Sequence, residues 1–336
     1  MSMLTRVGND LYTGARSFDF VGKRTLWYAI AAVVIVLAVA FTALRGGFVF
    51  GIEFRGGSEF RVTGSSAAIE GTASATAIAV DAVDEVVAGA NPRVSIVGTD
   101  SVRVQTEQLT PGETDDLRAA LADAYGVTLA DVSSSFIGAT WGADITRQAL
   151  LALVVFLFFA SLVMALYFRT WKMAVAAIVA LFHDLIITTG VYGVLGLEIT
   201  PAAVIGFLTI LGYSLYDTVV VFDKVRENTS EDGAESRRTF AESVNLAVNQ
   251  TLVRSINTSV VAVLPTAAIL FIGSLLLGAG TLRDIALALF IGTLVGTYSS
   301  IFLAAPLYVH LRENEPEVKK QGARQKAARP ESGAVR

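Results

Sequence analysis

The sequence predicts an α-helical integral membrane protein: six transmembrane helices, with a small α+β ferredoxin-like domain between the first and the second. Three observations carry this. Hydrophobic residues make up 53% of the 336-residue chain and charged residues only 17%, against about 25% charged in an ordinary soluble domain. Mean hydropathy is +0.59. Six stretches also approach the length of about 20 apolar residues that a bilayer crossing needs.

Those stretches are Trp27–Leu44, Ala149–Phe168, Met173–Leu195, Pro201–Phe222, Ser255–Leu277 and Ile285–His310. The first has the basic prefix of a signal peptide. Its apolar run is long for one, and Arg45-Gly46-Gly47 is a poor cleavage site, so it is read as an anchor. The chain then divides into residues 1–26 as an N-terminal segment, 27–44 as the first span and 45–148 as the inserted domain. Spans two to six occupy 149–310, with a polar, mostly helical loop at 223–254. Residues 311–336 form a basic tail that lacks apolar periodicity and is expected to be disordered.

The inserted domain reads in order. Phe60-Arg61-Val62 is a strand, and Ala73–Val87 has helical spacing. Arg93–Val97 and Ser101–Thr106 alternate around the turn at Gly98-Thr99-Asp100. Thr110-Pro111-Gly112-Glu113 opens a helix with a capping box and an N1 proline. A last strand lies near Val132–Phe136. The order βαββαβ is that of a ferredoxin-like fold.

Lys and Arg set the expected orientation. They gather in the N-terminal segment (Arg6, Arg16, Lys23, Arg24), after span two (Arg169, Lys172), after span four (Lys224, Arg226, Arg237, Arg238) and in the tail. The opposite short loops carry only Glu198 and Arg283. Both termini are expected in the cytoplasm and the inserted domain outside. The tail is either a weak ligand for anionic membrane lipid or a solvated end.

Absences narrow the chemistry. With no Cys, disulfides, Fe–S clusters and thiolate zinc are excluded. A net charge of -4 and the lack of a GxxxxGK loop speak against nucleic acid and nucleotide. No cofactor, no metal site and no enzyme chemistry are expected.

Ionisable groups inside spans are costly, and each is a functional candidate. Asp217 in span four and Arg254 at the start of span five fall at similar depth on consecutive spans. A carboxylate there would hold the guanidinium when ionised and release it when protonated. The other candidates on a proton pathway are His183 and Asp184, midway along span three. Plainer readings stand beside these. Arg254 snorkels to the interface; Asp217 is a structural carboxylate held by Tyr213 or Ser214; His183 and Asp184 only bond neighbouring helices. Gly292 and Gly296 form GxxxG in span six, and Gly190, Gly193 and Gly196 mark span three, where small residues permit close helix approach. Pro265 is expected to kink span five.

Several segments resemble the SecD/SecF family, on its SecF side. Gly51-Ile52-Glu53-Phe54-Arg55-Gly56-Gly57 is similar to the GIDFxGG signature that follows the first span. Residues 212–228, from Gly212-Tyr213-Ser214-Leu215-Tyr216-Asp217 onward, resemble the fourth-span motif GYSLNDTIVVFDRIREN. His183-Asp184, Thr251-Leu252-Val253-Arg254-Ser255 and Gly296-Thr297-Tyr298-Ser299-Ser300 match further family segments. The resemblance runs from about residue 20 to 310. It implies half of an RND-type membrane fold, in the bacterial cytoplasmic membrane. It also implies partnership with SecD, with the SecYEG channel and with YajC, and use of the proton gradient to promote preprotein translocation. It places the proton-pathway carboxylate on Asp217 and the functional arginine on Arg254. Three departures stand out: Tyr216 for the usual Asn, Glu53 for the usual Asp, and Ala139 where a proline normally precedes span two.

Two other classes compete. An intramembrane protease lacks a second GxGD aspartate, a suitably placed His for Ser214, and HExxH. An RND-type lipid or small-molecule exporter remains the alternative, although the inserted domain is small for a drug pocket.

Overall fold

A computed structural model of the chain describes residues 9–65, 72–90, 92–97, 100–231, 238–273 and 280–328. The expected turn at Gly98-Thr99, residues 232–237 of the polar loop and the tail beyond Ala328 lie outside the described residues. Among the described residues, six helices are long and apolar enough to cross a membrane. In chain order the elements are α1 Arg24–Leu44, β1 Val49–Phe50, α2 Ile52–Arg55, β2 Gly57–Val62, α3 Thr72–Val86, β3 Arg93–Val97 and β4 Ser101–Thr106. There follow α4 Pro111–Tyr125, β5 Val132–Ile137, α5 Ala139–Phe168, α6 Trp171–Leu195, β6 Glu198–Ile199, α7 Pro201–Glu231 and α8 Phe240–Ala268. The chain closes with α9 Gly280–Ser299, α10 Ala305–Arg312 and α11 Pro316–Ala328.

The inserted domain is a four-stranded antiparallel sheet in the order β3-β4-β2-β5, the ferredoxin-like arrangement for a βαββαβ chain. Alternation decides its faces. Phe60, Val62, Val102, Val104 and Val132 point inward against Ala75, Ala79 and Val83 of α3 and Leu117 and Leu121 of α4. The capping box forms as the sequence predicts: Thr110 Oγ1 accepts from the Glu113 amide, and the Glu113 carboxylate accepts from the Thr110 amide at 2.8 Å. The opposite face is polar. Cross-strand pairing there sets Glu59 beside Gln105 and Arg61 beside Arg103.

A second, two-stranded sheet ties this domain to the bundle. β1, just after α1, pairs in parallel with β6, which joins α6 to α7. The bundle therefore has a domain end. Its other end, here the tail end, gathers Arg24 with Glu313 at 2.7 Å and Lys172 with Glu315 at 2.8 Å.

The helices exceed the apolar runs that announced them. The helix of span two starts at Ala139, ten residues before the hydrophobic stretch, and that of span five starts at Phe240. Periodicity detects only the lipid-compatible part of a helix, whereas a cap sets its start. Thr239 caps α8 through Glu242. The disorder expected from residue 311 is corrected. Residues 311 and 312 complete α10, and Pro316–Ala328 is a helix. Glu315, held by both Lys172 and Arg312, fixes the turn before it, and Pro316 supplies an N1 proline.

Glycine spacing governs the tightest packing. α7 and α9 run parallel, and their contacts recur every four residues: Gly206 on Ala288, Ile210 on Gly292, Ser214 on Gly296, Thr218 on Ser300. A repeat of four keeps contacts on one stripe of each helix. Gly190 and Gly193 of α6 likewise face Ala38 and Thr42 of α1.

Candidate functional site

The stripe between α7 and α9 places hydroxyls and carboxyls inside an otherwise apolar bundle. Asp184 is fully buried on α6. Its Oδ2 accepts a hydrogen bond from Ser214 Oγ at 2.5 Å, and its Oδ1 lies 3.1 Å from His183 Nδ1. Gly296 makes room for this. A Cβ there would lie 3.0 Å from Ser214 Cβ and 3.6 Å from Asp184 Oδ2.

Asp217, one turn below Ser214, is buried to 5% exposure. Its Oδ1 accepts from Ser255 Oγ at 2.7 Å. Its Oδ2 is buried and has no hydrogen-bond partner among the described residues. Beside it Thr218 Oγ1 and Ser300 Oγ are 3.1 Å apart, and Ser300 also donates to the Gly296 carbonyl at 2.8 Å. One turn along α8, Ser259 Oγ lies 2.5 Å from Thr297 Oγ1. The result is a seam of small polar groups where α6, α7, α8 and α9 meet. Each hydroxyl can both donate and accept, so the seam can rearrange around a carboxyl that changes protonation.

The expected direct pair of Asp217 and Arg254 is not formed. Arg254 is exposed and donates to Tyr216 Oη at 3.3 Å. The reason is helical geometry. Successive residues on α8 point about 100° apart, so when Ser255 faces Asp217, Arg254 faces outward. Tyr216, which stands where the family usually has Asn, is 52% exposed and shares that outer face. Arg254 still acts on Asp217 through space.

His183 and Asp184 fall together as anticipated. The imidazole also borders an apolar crevice of about 330 Å³ between α1, α6 and α9, lined by Ile30, Val34, Ile187, Leu294 and Tyr298. Tyr213 lies on the seam with its hydroxyl buried next to Ser259, and Ser299 bonds the Gly296 carbonyl at 3.2 Å. Gly212 meets no close neighbour. The three glycines of the first signature, Gly51, Gly56 and Gly57, lie outside the bundle. Gly57, at φ +145°, approaches the Thr106 carbonyl so closely that a Cβ would sit 2.5 Å from it. They shape the junction between domain and bundle, away from Asp184 and Asp217.

Sequence reading missed Ser255 as the partner of Asp217, and with it Ser259 and Thr297. Ser255 and Ser259 at i, i+4 in an apolar span were the available signal. Serines are common enough in spans that spacing alone did not distinguish them.

Residues 117–314 match the family model described as protein export membrane protein SecD/SecF, C-terminal. The chain is 45% identical over 314 residues to protein translocase subunit SecF of Mycobacterium leprae, which covers 90% of this chain and 66% of that one. It is 42% identical over 334 residues to protein translocase subunit SecF of Streptomyces coelicolor, covering 99% of this chain and 87% of the other. The crystal structure of SecDF, a translocon-associated membrane protein from Thermus thermophilus, superposes with a TM-score of 0.76 at 29% identity, over 94% of this chain and 40% of that one.

Proposed function

Because this chain belongs to the SecD/SecF family of protein-export membrane proteins, we propose that it acts as a SecF-type translocase subunit in which protonation of Asp217 moves the bundle and, through it, the inserted domain. The observation that carries this reading is the half-satisfied carboxyl. Among the described residues Asp217 Oδ2 is buried and lacks a well-formed hydrogen bond, with the Ser300 hydroxyl close by, while Oδ1 is held by Ser255. A proton or a water can settle there and be removed again, and the surrounding hydroxyls can repack with it. Asp184 differs, because both of its oxygens have neighbours; it orients Ser214, and His183 orients it.

Arg254 belongs to the working cycle as the charge that Asp217 takes up when α7 and α8 rotate against each other. In the present arrangement it waits on Tyr216. One charge moved through 100 mV is worth about 2.3 kcal/mol. Inverting a two-state population takes about 5.5 kcal/mol. At that potential three protons per cycle, about 6.9 kcal/mol, would therefore suffice.

The energy source is the proton gradient, and no cofactor is required. The partner is a SecD-like chain, a reading supported by the SecDF character of the matched structure and of the Thermus thermophilus relative. SecYEG is the channel served, YajC is an additional companion, and preproteins are the cargo. We place the protein in the bacterial cytoplasmic membrane with both termini in the cytoplasm and the inserted domain outside. The relatives carry translocase names, which favours export over the small-molecule exporter alternative.

The test is Asp217→Asn in membranes with and without a proton gradient. The variant is expected to assemble with its partner and to lose gradient-dependent stimulation of preprotein translocation. Stimulation at the normal level would refute the role of Asp217.

A further inference from the structure

The most unusual chemistry outside the seam lies where the inserted domain meets the domain end of the bundle. β1 and β6 pair there, and the Gly51 amide donates to the Ile199 carbonyl at 3.0 Å. Arg103, on the polar face of the sheet, donates to Glu198 Oε2 at 2.7 Å and to Ser95 Oγ at 3.2 Å. This is the ion pair that joins sheet to bundle. The second oxygen of Glu198, Oε1, is buried and unpartnered among the described residues, and so is Glu53 Oε2. Both converge over Gly51. A Cβ at that glycine would touch Glu53 Oε2 and lie 3.2 Å from Glu198 Oε1.

Two ionised carboxylates with orphaned oxygens turned to one point repel each other and satisfy neither acceptor. One proton between them removes both problems. We propose that Glu53 and Glu198 form a second proton-binding site, outside the spans, whose shared proton holds the inserted domain against the mouth of the bundle. With the proton in place, Glu53 is neutral and donates toward Glu198, and Glu198 keeps its ion pair with Arg103. The trio then carries no net charge. When the proton leaves to water, two adjacent carboxylates are charged with only Arg103 in direct contact, and the junction loosens.

The surrounding charges agree with this balance. Glu59 lies near Glu53 and is tied to Gln105 Nε2 at 3.0 Å. Arg93 on β3 interacts through space with Glu198 as well as with Arg103 and Arg55 of α2, and so adds positive charge to the region. From the bundle, Asp284 of α9 faces the same region with Arg283 beside it. Its Oδ2 is taken by the Thr200 hydroxyl at 2.8 Å, so it does not serve the Glu53–Glu198 pair. Burial, reinforced by Glu198, pushes the Glu53 carboxyl above the ordinary glutamate range, against the pull of its own backbone hydrogen bond. Gly51 is required because any side chain would fill the meeting point.

The inference rests on the proposed proton coupling only for its relevance to export, and its test needs neither a gradient nor a translocon. The full chain lacks cysteine, so Ser134→Cys and Leu195→Cys accept one spin label on the sheet and one at the end of α6. Both positions are exposed. The distance between labels is measured in lipid bilayers from pH 4.5 to 8.5, with infrared difference spectra of the protonated carboxyl band over the same range. The expected result is one transition in distance, accompanied by loss of the band as pH rises. Glu53→Gln is expected to abolish the band and to keep the low-pH distance throughout. Glu53→Asp is expected to retain both, which separates loss of the proton from loss of fold. A transition that persists unchanged in Glu53→Gln, or a band that titrates with no change in distance, overturns the proposal.

Discussion

Ser255 Oγ donates to Asp217 Oδ1 across 2.7 Å from the helix position next to Arg254. On the proposed cycle the hydroxyl and the guanidinium are alternative neighbours of one carboxylate, and a rotation of α8 by one residue's angular width would exchange a neutral partner for a charged one.

Replacing Ser255 by Ala should remove the hydrogen bond that holds Asp217 Oδ1. A hydrogen bond to a charged group contributes about 1.5–3 kcal/mol, so gradient-dependent translocation should fall roughly tenfold or more. Ser255→Thr keeps the hydroxyl and should keep most of the activity. Equal activity of the Ala and Thr variants would show that this contact is dispensable.

Gly142→Ala should destabilise the junction of α2 and α5 without touching the seam. The new Cβ would lie 2.5 Å from the Phe54 carbonyl oxygen, a backbone atom that cannot swing away. Overpacking of this kind costs about 1–3 kcal/mol. A lowered thermal midpoint in detergent checks it; an unchanged midpoint would mean that α5 shifts freely.

The N-terminal segment is strapped to α8 by amide side chains. Asn245 Oδ1 accepts from the Phe20 amide at 2.9 Å, and Asn249 Oδ1 accepts from the Phe18 amide at 2.7 Å. Both side chains also donate to the Phe18 carbonyl. The double change Asn245→Ala, Asn249→Ala should free this segment. Trypsin should then cut at Arg16, which is already exposed, at least several-fold faster than in the parent chain.

Two groups of carboxyls give the inserted domain opposing pH dependences. Glu53 is raised by burial, so the folded chain binds its proton more tightly than the unfolded chain does. Its contribution is complete below the ordinary glutamate value and is lost as pH rises through the folded value. Glu113 and Asp131 are lowered by the Thr110 and Thr128 groups they cap. Their contribution is present above the ordinary values and is lost as pH falls through the lowered ones. Glu53→Gln should therefore flatten the stability decline above about pH 4.5 and leave the acid limb unchanged. Thermal melts across pH read both limbs.

Much of this protein was legible in its residues. Six apolar runs and the βαββαβ pattern need only local periodicity, which hydrophobic burial imposes wherever the chain goes. The motif around Asp217 was equally plain, because a carboxylate within a span is too costly to be incidental.

What the sequence could not express was angle and register between distant segments. Arg254 stood out as the partner because it is charged, yet the rotation of α8 turns Ser255 inward instead. Glu53 and Glu198 are far apart in the chain and ordinary in composition. Only the pairing of β1 with β6 brings their free oxygens to one point. Local chemistry determines which segments enter lipid and which residues are costly there. The packing of helix against helix, set by glycine stripes at four-residue spacing, decides which of those residues meet.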